Sequence, residues 1–184
     1  MAPVADEPES GVTDNTRAEV ETARDLVTFH IVEPTSDEAL AAMRAYFAEL
    51  DARFAGGFDP GDSLTVGVHS MREPSGGTFI VARTGDTLAA CGGVQRHDDH
   101  TGEIKRMWVN PGCRGIGLGR RMLAELEAHV ARLGYTHIVL DTNDVLTEAI
   151  ALYTRSGYHE IEAYNDNPFA RHWFTKTTNT EKES

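Results

Sequence analysis

The residues in this chain best suited to chemistry lie in one stretch, Glu103–Arg121, which reads EIKRMWVNPGCRGIGLGRR. An apolar segment runs into Asn110-Pro111-Gly112, then into Arg114-Gly115-Ile116-Gly117-Leu118-Gly119, and directly into a helical pattern. Glycines at alternate positions remove Cβ atoms where a helix begins, so the free N–H groups of its first turn can close on an anion. Peptide dipoles add partial positive charge there, and Arg114 and Arg120 add full charges, which together describe a phosphate cradle. Spacing restricts which phosphate. A P-loop places lysine directly after its second glycine, and Gly112 and Gly117 have that separation, but Leu118 follows. The dinucleotide fingerprint Gly-x-Gly-x-x-Gly fails by one residue at Gly115-x-Gly117-x-Gly119, which removes a nicotinamide-dependent oxidoreductase. The pattern Arg/Gln-x-x-Gly-x-Gly/Ala fits, with Arg114, Gly117 and Gly119 in place.

A cradle of this kind needs a strand before it and a helix behind it, and the flanking sequence supplies both. Val27–Val32 has strand composition, and Ser36-Asp37 offers an N-cap for a helix over Ala39–Phe54. Residues 58–77 are rich in Gly, Asp, Ser and Pro and read as a long loop with room for one short helix. Phe79–Arg83, Leu88–Gln95 and Glu103–Val109 are strands joined by short turns, hence an antiparallel meander. Leu123, Leu126, Val130 and Leu133 form a one-sided stripe on a helix from Gly117 to Leu133, closed by Gly134. Then come a strand at His137–Asp141, a helix at Thr147–Ser156 stopped by Gly157, and strands at Tyr158–Ile161 and Arg171–Lys176. The order describes a single α/β domain with a mixed sheet, a meander in front and a strand–helix–strand crossover behind it.

The 184 residues suit one such domain, and the 40% apolar content provides a core. Seventeen basic residues against 29 acidic ones give a formal charge of −12. Residues 1–24 carry six acidic and two basic residues with no aromatic residue, and read as a disordered acidic arm; residues 177–184 read as a disordered tail. The domain between them, residues 25–176, keeps a charge of about −7 without those ends. Such a body repels phosphate backbones and anionic lipid, so neither nucleic acid nor membrane is expected as a partner. No apolar run reaches the roughly 18–20 residues of a spanning helix, and MAPVADEPES lacks the basic and apolar regions of a secretory signal; the expected location is the cytoplasm. Cys91 and Cys113 are too few for a disulfide framework or a zinc site.

The strand exit Met107-Trp108-Val109-Asn110-Pro111 followed by the Arg114–Gly119 pattern resembles the pyrophosphate loop of the GNAT superfamily of acyl-CoA-dependent N-acetyltransferases. Downstream, Leu140-Asp141-Thr142-Asn143 and Ala149-Ile150-Ala151-Leu152-Tyr153-Thr154-Arg155-Ser156-Gly157-Tyr158 are similar to that family's "A-x-x-L-Y-x-x-x-G-F/Y" helix and the strand end before it. The resemblance covers residues 27–176 in element order and is motif-specific over 103–158. It implies transfer of acetyl from acetyl-CoA to a primary amine in a ternary complex, with no metal. On that reading, Arg114, Gly115, Ile116, Gly117, Leu118, Gly119 and Arg120 hold the pyrophosphate. Met107, Trp108 and Val109 pair with the pantetheine arm in a gap before the next strand, and Asn143 hydrogen-bonds it or the following helix start. Tyr153 protonates the departing thiolate, and Glu103 takes the proton of the amine. Members of the family are often dimers, which extends a homodimer to this chain by analogy.

Without the resemblance, Tyr153 would read as a core aromatic and Glu103 as a solvated hairpin charge. The resemblance implies an acceptor bounded by the helix 39–54 and its loop (Tyr46, Arg53, Phe54, Phe58) and by residues 162–170 (Tyr164, Asn165, Phe169). Arg53 as a carboxylate clamp favours an amino acid or similar small amine. The acidic body would also attract polycations. Two other classes stand beside this: a protein lysine or N-terminal acetyltransferase, and a non-catalytic acyl-CoA-binding module. His97-Asp98-Asp99-His100 reads as a solvated turn rather than a metal site, and Cys113 as incidental.

Overall fold

A computed structural model describes residues 26–178. Seven strands form one sheet: β1 (Val27–Ile31), β2 (Thr78–Thr84), β3 (Thr87–Arg96), β4 (Thr101–Val109), β5 (His137–Thr142), β6 (His159–Ile161) and β7 (His172–Thr177). The helices are α1 (Asp37–Arg53), α2 (Leu118–Arg132) and α3 (Thr147–Arg155). The sheet order is β1-β2-β3-β4-β5-β7-β6, antiparallel throughout except for β4 against β5. This is the expected mixed, mostly antiparallel α/β domain.

Local chemistry sets the boundaries. The Ser36 hydroxyl accepts the Ala39 N–H at 3.3 Å and starts α1. The stretch between α1 and β2 holds three short 3-10 turns, Gly61–Leu64, Gly67–Ser70 and Glu73–Ser75, where one short helix was expected. Its glycines and prolines interrupt every longer run of backbone hydrogen bonds.

The meander is buried on both faces, with α1 on one side and α2 on the other. Alternation along β2 sends Phe79 and Val81 toward Met43 and Phe47 of α1. Ile80 and Ala82 point instead toward Leu118, Met122, Leu123 and Leu126 of α2. Burial of one large apolar side chain is worth about 1.5–3 kcal/mol, so the α2 stripe clamps that helix to the sheet and fixes where its N-terminus points.

β7 runs one residue past the expected strand end at Lys176. Thr177 pairs with His137, Thr178 N–H donates to Thr136 C=O at 2.9 Å, and the Thr178 hydroxyl donates to Tyr135 C=O at 3.0 Å. The threonine β-propensity and the continuing ladder carry β7 into residues that composition alone assigned to the tail. The acidic arm at 1–24 and the rest of the tail lie outside the described residues. No helix among the described residues is long and apolar enough to cross a membrane.

Candidate active site

The central feature is an interruption of the sheet. The β4–β5 ladder consists of Thr101↔His137, Gly102↔Ile138 and Glu103↔Val139, and there it stops. Past that point the strands diverge, and Lys105–Met107 and Asp141–Asn143 line a cavity of about 350 Å³ instead of pairing. A second cavity of about 340 Å³ continues toward α2, lined by Met107, Trp108, Val109, Arg114, Gly115, Gly117, Leu118 and Gly119. Tyr46, Leu50, Met107, Leu146, Ala149 and Tyr153 belong to both, so the two cavities meet there.

A β-bulge shapes the β4 side. Cys91 pairs with Trp108 and Gly93 with Lys105, which leaves Arg106 and Met107 opposite the single residue Gly92. Arg106 has φ +56°, the sole positive φ at a non-glycine among the described residues. An L-residue in that conformation costs roughly 1–2 kcal/mol. The strain sits where β4 leaves the ladder, and the bulge frees backbone groups at the junction of the cavities.

The far end of the second cavity is the glycine loop. Asn110 anchors its start: the side-chain carbonyl accepts the Gly112 N–H, and the amide donates to Leu88 C=O, both at 3.0 Å. Gly117 takes the N-cap of α2 at φ +76° and supplies no side-chain acceptor, so the first-turn N–H groups point outward uncapped. A Cβ on Gly115 would meet nothing within 4 Å, and one on Gly119 would stand 3.6 Å from Leu152 and 3.8 Å from Val109. The floor is thus backbone, and a phosphate can approach it closely.

Charge along this cavity is arranged in pairs. Arg114 holds Glu49 at 2.6 Å and Val109 C=O at 2.9 Å, and Trp108 Nε1 donates to Glu49 at 2.7 Å. Arg53 bridges Glu148, Glu49 and Val145 C=O. Burial opposes charge on Glu49, but the hydrogen bonds from Arg114, Trp108 and Arg53 outweigh it and hold the carboxyl below its ordinary range.

At the junction, Tyr153 is 6% exposed, with its ring against Tyr158 and Phe174 at 5.8 and 5.9 Å between centroids. Burial, then the negative charge of Asp141, pushes its hydroxyl pKa well above the ordinary tyrosine value. Tyr46 is shifted the same way, by burial first and then by Tyr153 and Asp141. The outer wall of the first cavity is aromatic: Phe58 lies 4.6 Å from Phe169 and 5.5 Å from Phe47, and Phe54 lies 5.9 Å from Phe169.

The sequence profile described as the acetyltransferase (GNAT) family matches residues 32–158. The chain belongs to that family. An uncharacterized N-acetyltransferase of Schizosaccharomyces pombe is 41% identical over 66 residues, which is 36% of this chain and 40% of that protein, so the match spans less than half of that relative. An acetyltransferase of Streptococcus agalactiae has the same fold, with TM-score 0.69 at 20% identity over 83% of this chain and 98% of that one. A GNAT family acetyltransferase of Elizabethkingia anophelis, solved with acetyl-CoA bound, superposes with TM-score 0.59 at 17% identity over 83% of this chain and 99% of its own.

Within this GNAT domain the structure sorts the sequence-nominated residues. Met107, Trp108, Val109, Arg114, Gly115, Gly117, Leu118, Gly119 and Tyr153 line the cradle cavity together. Ile116 packs against the core, and Arg120 is exposed beside the cavity wall rather than in it. Asn143 lines the first cavity, with its amide donating to Phe169 C=O at 2.5 Å and its oxygen accepting the Val145 N–H at 3.1 Å. It therefore fastens the loop before α3.

Three assignments change. Arg53 lies along the cradle cavity, occupied by Glu148 and Glu49, and not in the wall of the aromatic cavity. The cause is non-local: α3 brings Glu148 against the last turn of α1. Glu103, 4% exposed, sits behind the cavity wall, accepting hydrogen bonds from Gln95 (2.6 Å), Tyr164 (2.9 Å) and Lys105 (3.1 Å). Tyr164 is held there by that bond and by His97, whose ring centroid is 5.1 Å away, so it backs the site instead of lining it. Two carboxylates do line the first cavity, Asp59 and Asp141; the one whose charge acts on Tyr153 is Asp141, bonded by Asn165 (2.7 Å) and Asn167 (3.3 Å) and 3.7 Å from Lys105 Nζ. Sequence reasoning passed over Asp141, Arg106 and Glu49; the adjacent charges of Lys105-Arg106, which put a cation on each face of the strand, were the available signal for the second.

His97–His100 is a hairpin turn in which Asp98 accepts the His100 N–H at 2.7 Å. Among the described residues no three His, Cys, Asp or Glu side chains group as a metal site.

Proposed function

We propose that this protein is an acetyl-CoA-dependent N-acetyltransferase acting on a primary amine of a small molecule. The observation that carries the reading is the meeting of two cavities at Tyr153, one floored by the glycine loop and the other walled by aromatic rings. Acetyl-CoA supplies the acetyl group as an activated thioester. The uncapped N–H groups of α2, with Arg114, suit its pyrophosphate, and the separated edges of β4 and β5 suit an extended chain paired as an added strand.

An amine attacks only when neutral, so a base must take its proton. Of the two carboxylates in the cavity wall, Asp141 is the one whose charge acts on Tyr153, and Lys105 links it to Glu103 behind. Backbone N–H groups freed at the Arg106–Met107 bulge are the donors available to a carbonyl oxygen at the junction. Tyr153 Oη carries its proton at neutral pH and stands at the meeting of the cavities, so it can hydrogen-bond the departing sulfur and pass that proton to it. The aromatic wall of Phe47, Phe54, Phe58 and Phe169 excludes water and favours a small acceptor over a protein segment.

A thiol-release assay with acetyl-CoA tests this against amino acids, polyamines, aminoglycosides and lysine peptides. Turnover with a small amine is expected. A rise in melting temperature with acetyl-CoA but turnover on peptides alone would move the acceptor to proteins. Absence of both thermal shift and turnover would refute the reading.

A further inference from the structure

Arg106 carries the only arginine side chain in the wall of the aromatic cavity, and its guanidinium has no carboxylate within 4 Å among the described residues. Its contacts are all neutral. Nη1 donates to Met43 Sδ at 2.8 Å, Nη2 donates to Ser63 C=O at 2.7 Å, and the group lies over the Phe47 ring at 5.6 Å from its centroid. A Cβ on Gly67 would come within 2.7 Å of Nη2, so that glycine leaves room for the guanidinium. Three other arginines, Arg53, Arg114 and Arg155, line the second cavity and not this one; Arg53 and Arg114 are matched with Glu148 and Glu49. The two carboxylates of the same cavity are turned to other partners: Asp141 to Asn165, Asn167 and Lys105, and Asp59 to the Gly61 N–H. A desolvated cation without a counter-ion is unfavourable, and a guanidinium has five donors in a planar fork, of which two are used here.

We infer that Arg106 receives the carboxylate of the acceptor, which is therefore an α-amino acid with an apolar or aromatic side chain held among Phe54, Phe58 and Phe169. The inference rests on the acetyltransferase reading and narrows its substrate class. It follows from three juxtaposed features of one cavity: a cation lacking its anion, a set of aromatic rings, and Tyr153 with Asp141 at the inner end. Carboxylate and guanidinium match as paired parallel hydrogen bonds, which an ammonium-rich polyamine or aminoglycoside cannot offer. Such acceptors would instead meet Arg106 and Lys105 as like charges.

The test compares L-phenylalanine, L-leucine and L-methionine, each with its amide and with its decarboxylated amine, in the acetyl-CoA assay. The expected preference for the acid is about 10²–10³-fold in kcat/KM, the scale of leaving one member of a desolvated charge pair unmatched. The amide is the stringent control, because its amine carries less positive charge at neutral pH and is the readier nucleophile. In Arg106→Gln the acid-over-amide ratio should fall toward one, with partial recovery in Arg106→Lys. A purely structural role would lower all three compounds together and leave the ratio unmoved, which would overturn the inference, as would wild-type protein that takes the amide or the amine as readily as the acid. An independent readout needs no turnover: N-acetyl-phenylalanine should raise the melting temperature of the wild-type protein and its amide should not, and equal shifts would count against Arg106. Acetylation of amines without carboxylate preference refutes this inference alone, whereas acetylation of no amine with no acetyl-CoA binding refutes the reading beneath it.

Discussion

Replacing Tyr153 by phenylalanine removes one oxygen from the junction of the two cavities and little else. The ring contacts with Tyr158 and Phe174 are apolar and survive the change, so stability should move by no more than about 1 kcal/mol. The oxygen lost belongs to a hydroxyl that is protonated at neutral pH; burial, then Asp141, raises its pKa and makes it a more reluctant donor, which holds the expected effect below the largest seen for general acids. General acid catalysis contributes about 10²–10⁴-fold in favourable cases. A departing thiolate needs less help than an alkoxide, because thiols ionise near pH 8.5. The expected loss in kcat is therefore about 10–1000-fold, or roughly 1.4–4 kcal/mol of transition-state stabilisation. Steady-state thiol release measures it, with KM for acetyl-CoA nearly constant, since the cradle is built from the glycine loop and not from this hydroxyl. The rise of rate with pH should persist in the variant, because the amine and its base set that limb. A variant that keeps wild-type kcat within about twofold, with wild-type melting and acetyl-CoA affinity, would remove Tyr153 from the reaction.

Three further outcomes follow from the same structure. Arg114→Ala should weaken acetyl-CoA binding by about 5–50-fold and flatten its salt dependence, measured by titration calorimetry at two ionic strengths; an unchanged affinity would mean that Glu49 keeps this arginine occupied in the complex. Gly77→Ala should cost at least about 2 kcal/mol in denaturant unfolding, because its Cβ would stand 2.3 Å from Ser70 C=O and 2.4 Å from Val94 C=O, backbone atoms that cannot swing aside. His172 sits between Glu160 at 2.6 Å and Asp144 at 2.9 Å; the Glu160 hydrogen bond first, against burial, raises its pKa. Its contribution is therefore complete below the unfolded value of about 6.5 and fades as pH climbs through the higher folded value, so the melting-temperature gap between wild type and His172→Gln should shrink from pH 6 to pH 9.

How much of this was legible in the sequence depended on whether the deciding chemistry was local. The glycine loop and the start of α2 could be read because Gly115, Gly117 and Gly119 punctuate a helix start, and glycine spacing is written in the chain itself. The α2 stripe and the Ser36 cap are likewise short-range, and both stand where the pattern put them. The bulge could not be read, since Arg106 adopts a left-handed conformation without being Gly, Asn or Asp, and composition gives no sign of it. Arg53 was misplaced because its partner Glu148 is 95 positions away and meets it only through the packing of α3 on α1. Glu103 illustrates the same limit: strand alternation shows that it shares a face with Lys105, but only the return of Tyr164 covers it.

The early end of the β4–β5 ladder gives the sheet an unusual mechanical character. Two half-sheets, β1–β4 and β5–β7–β6, are joined along their common border by three residue pairs at one end, like the arms of a clothes-peg. Backbone edges that would be sealed in the middle of a continuous sheet thus face the gap, between the fourth and fifth strands of the seven. The amide hydrogens within Lys105–Val109 and Leu140–Thr142 that face the gap, and not those bonded to β3 or β7, should exchange faster than their place inside the sheet suggests, and slow when an extended ligand bridges the arms. The same bridge would stiffen the opening between the arms, so the compliance of the free protein and the order of the bound one have a single origin.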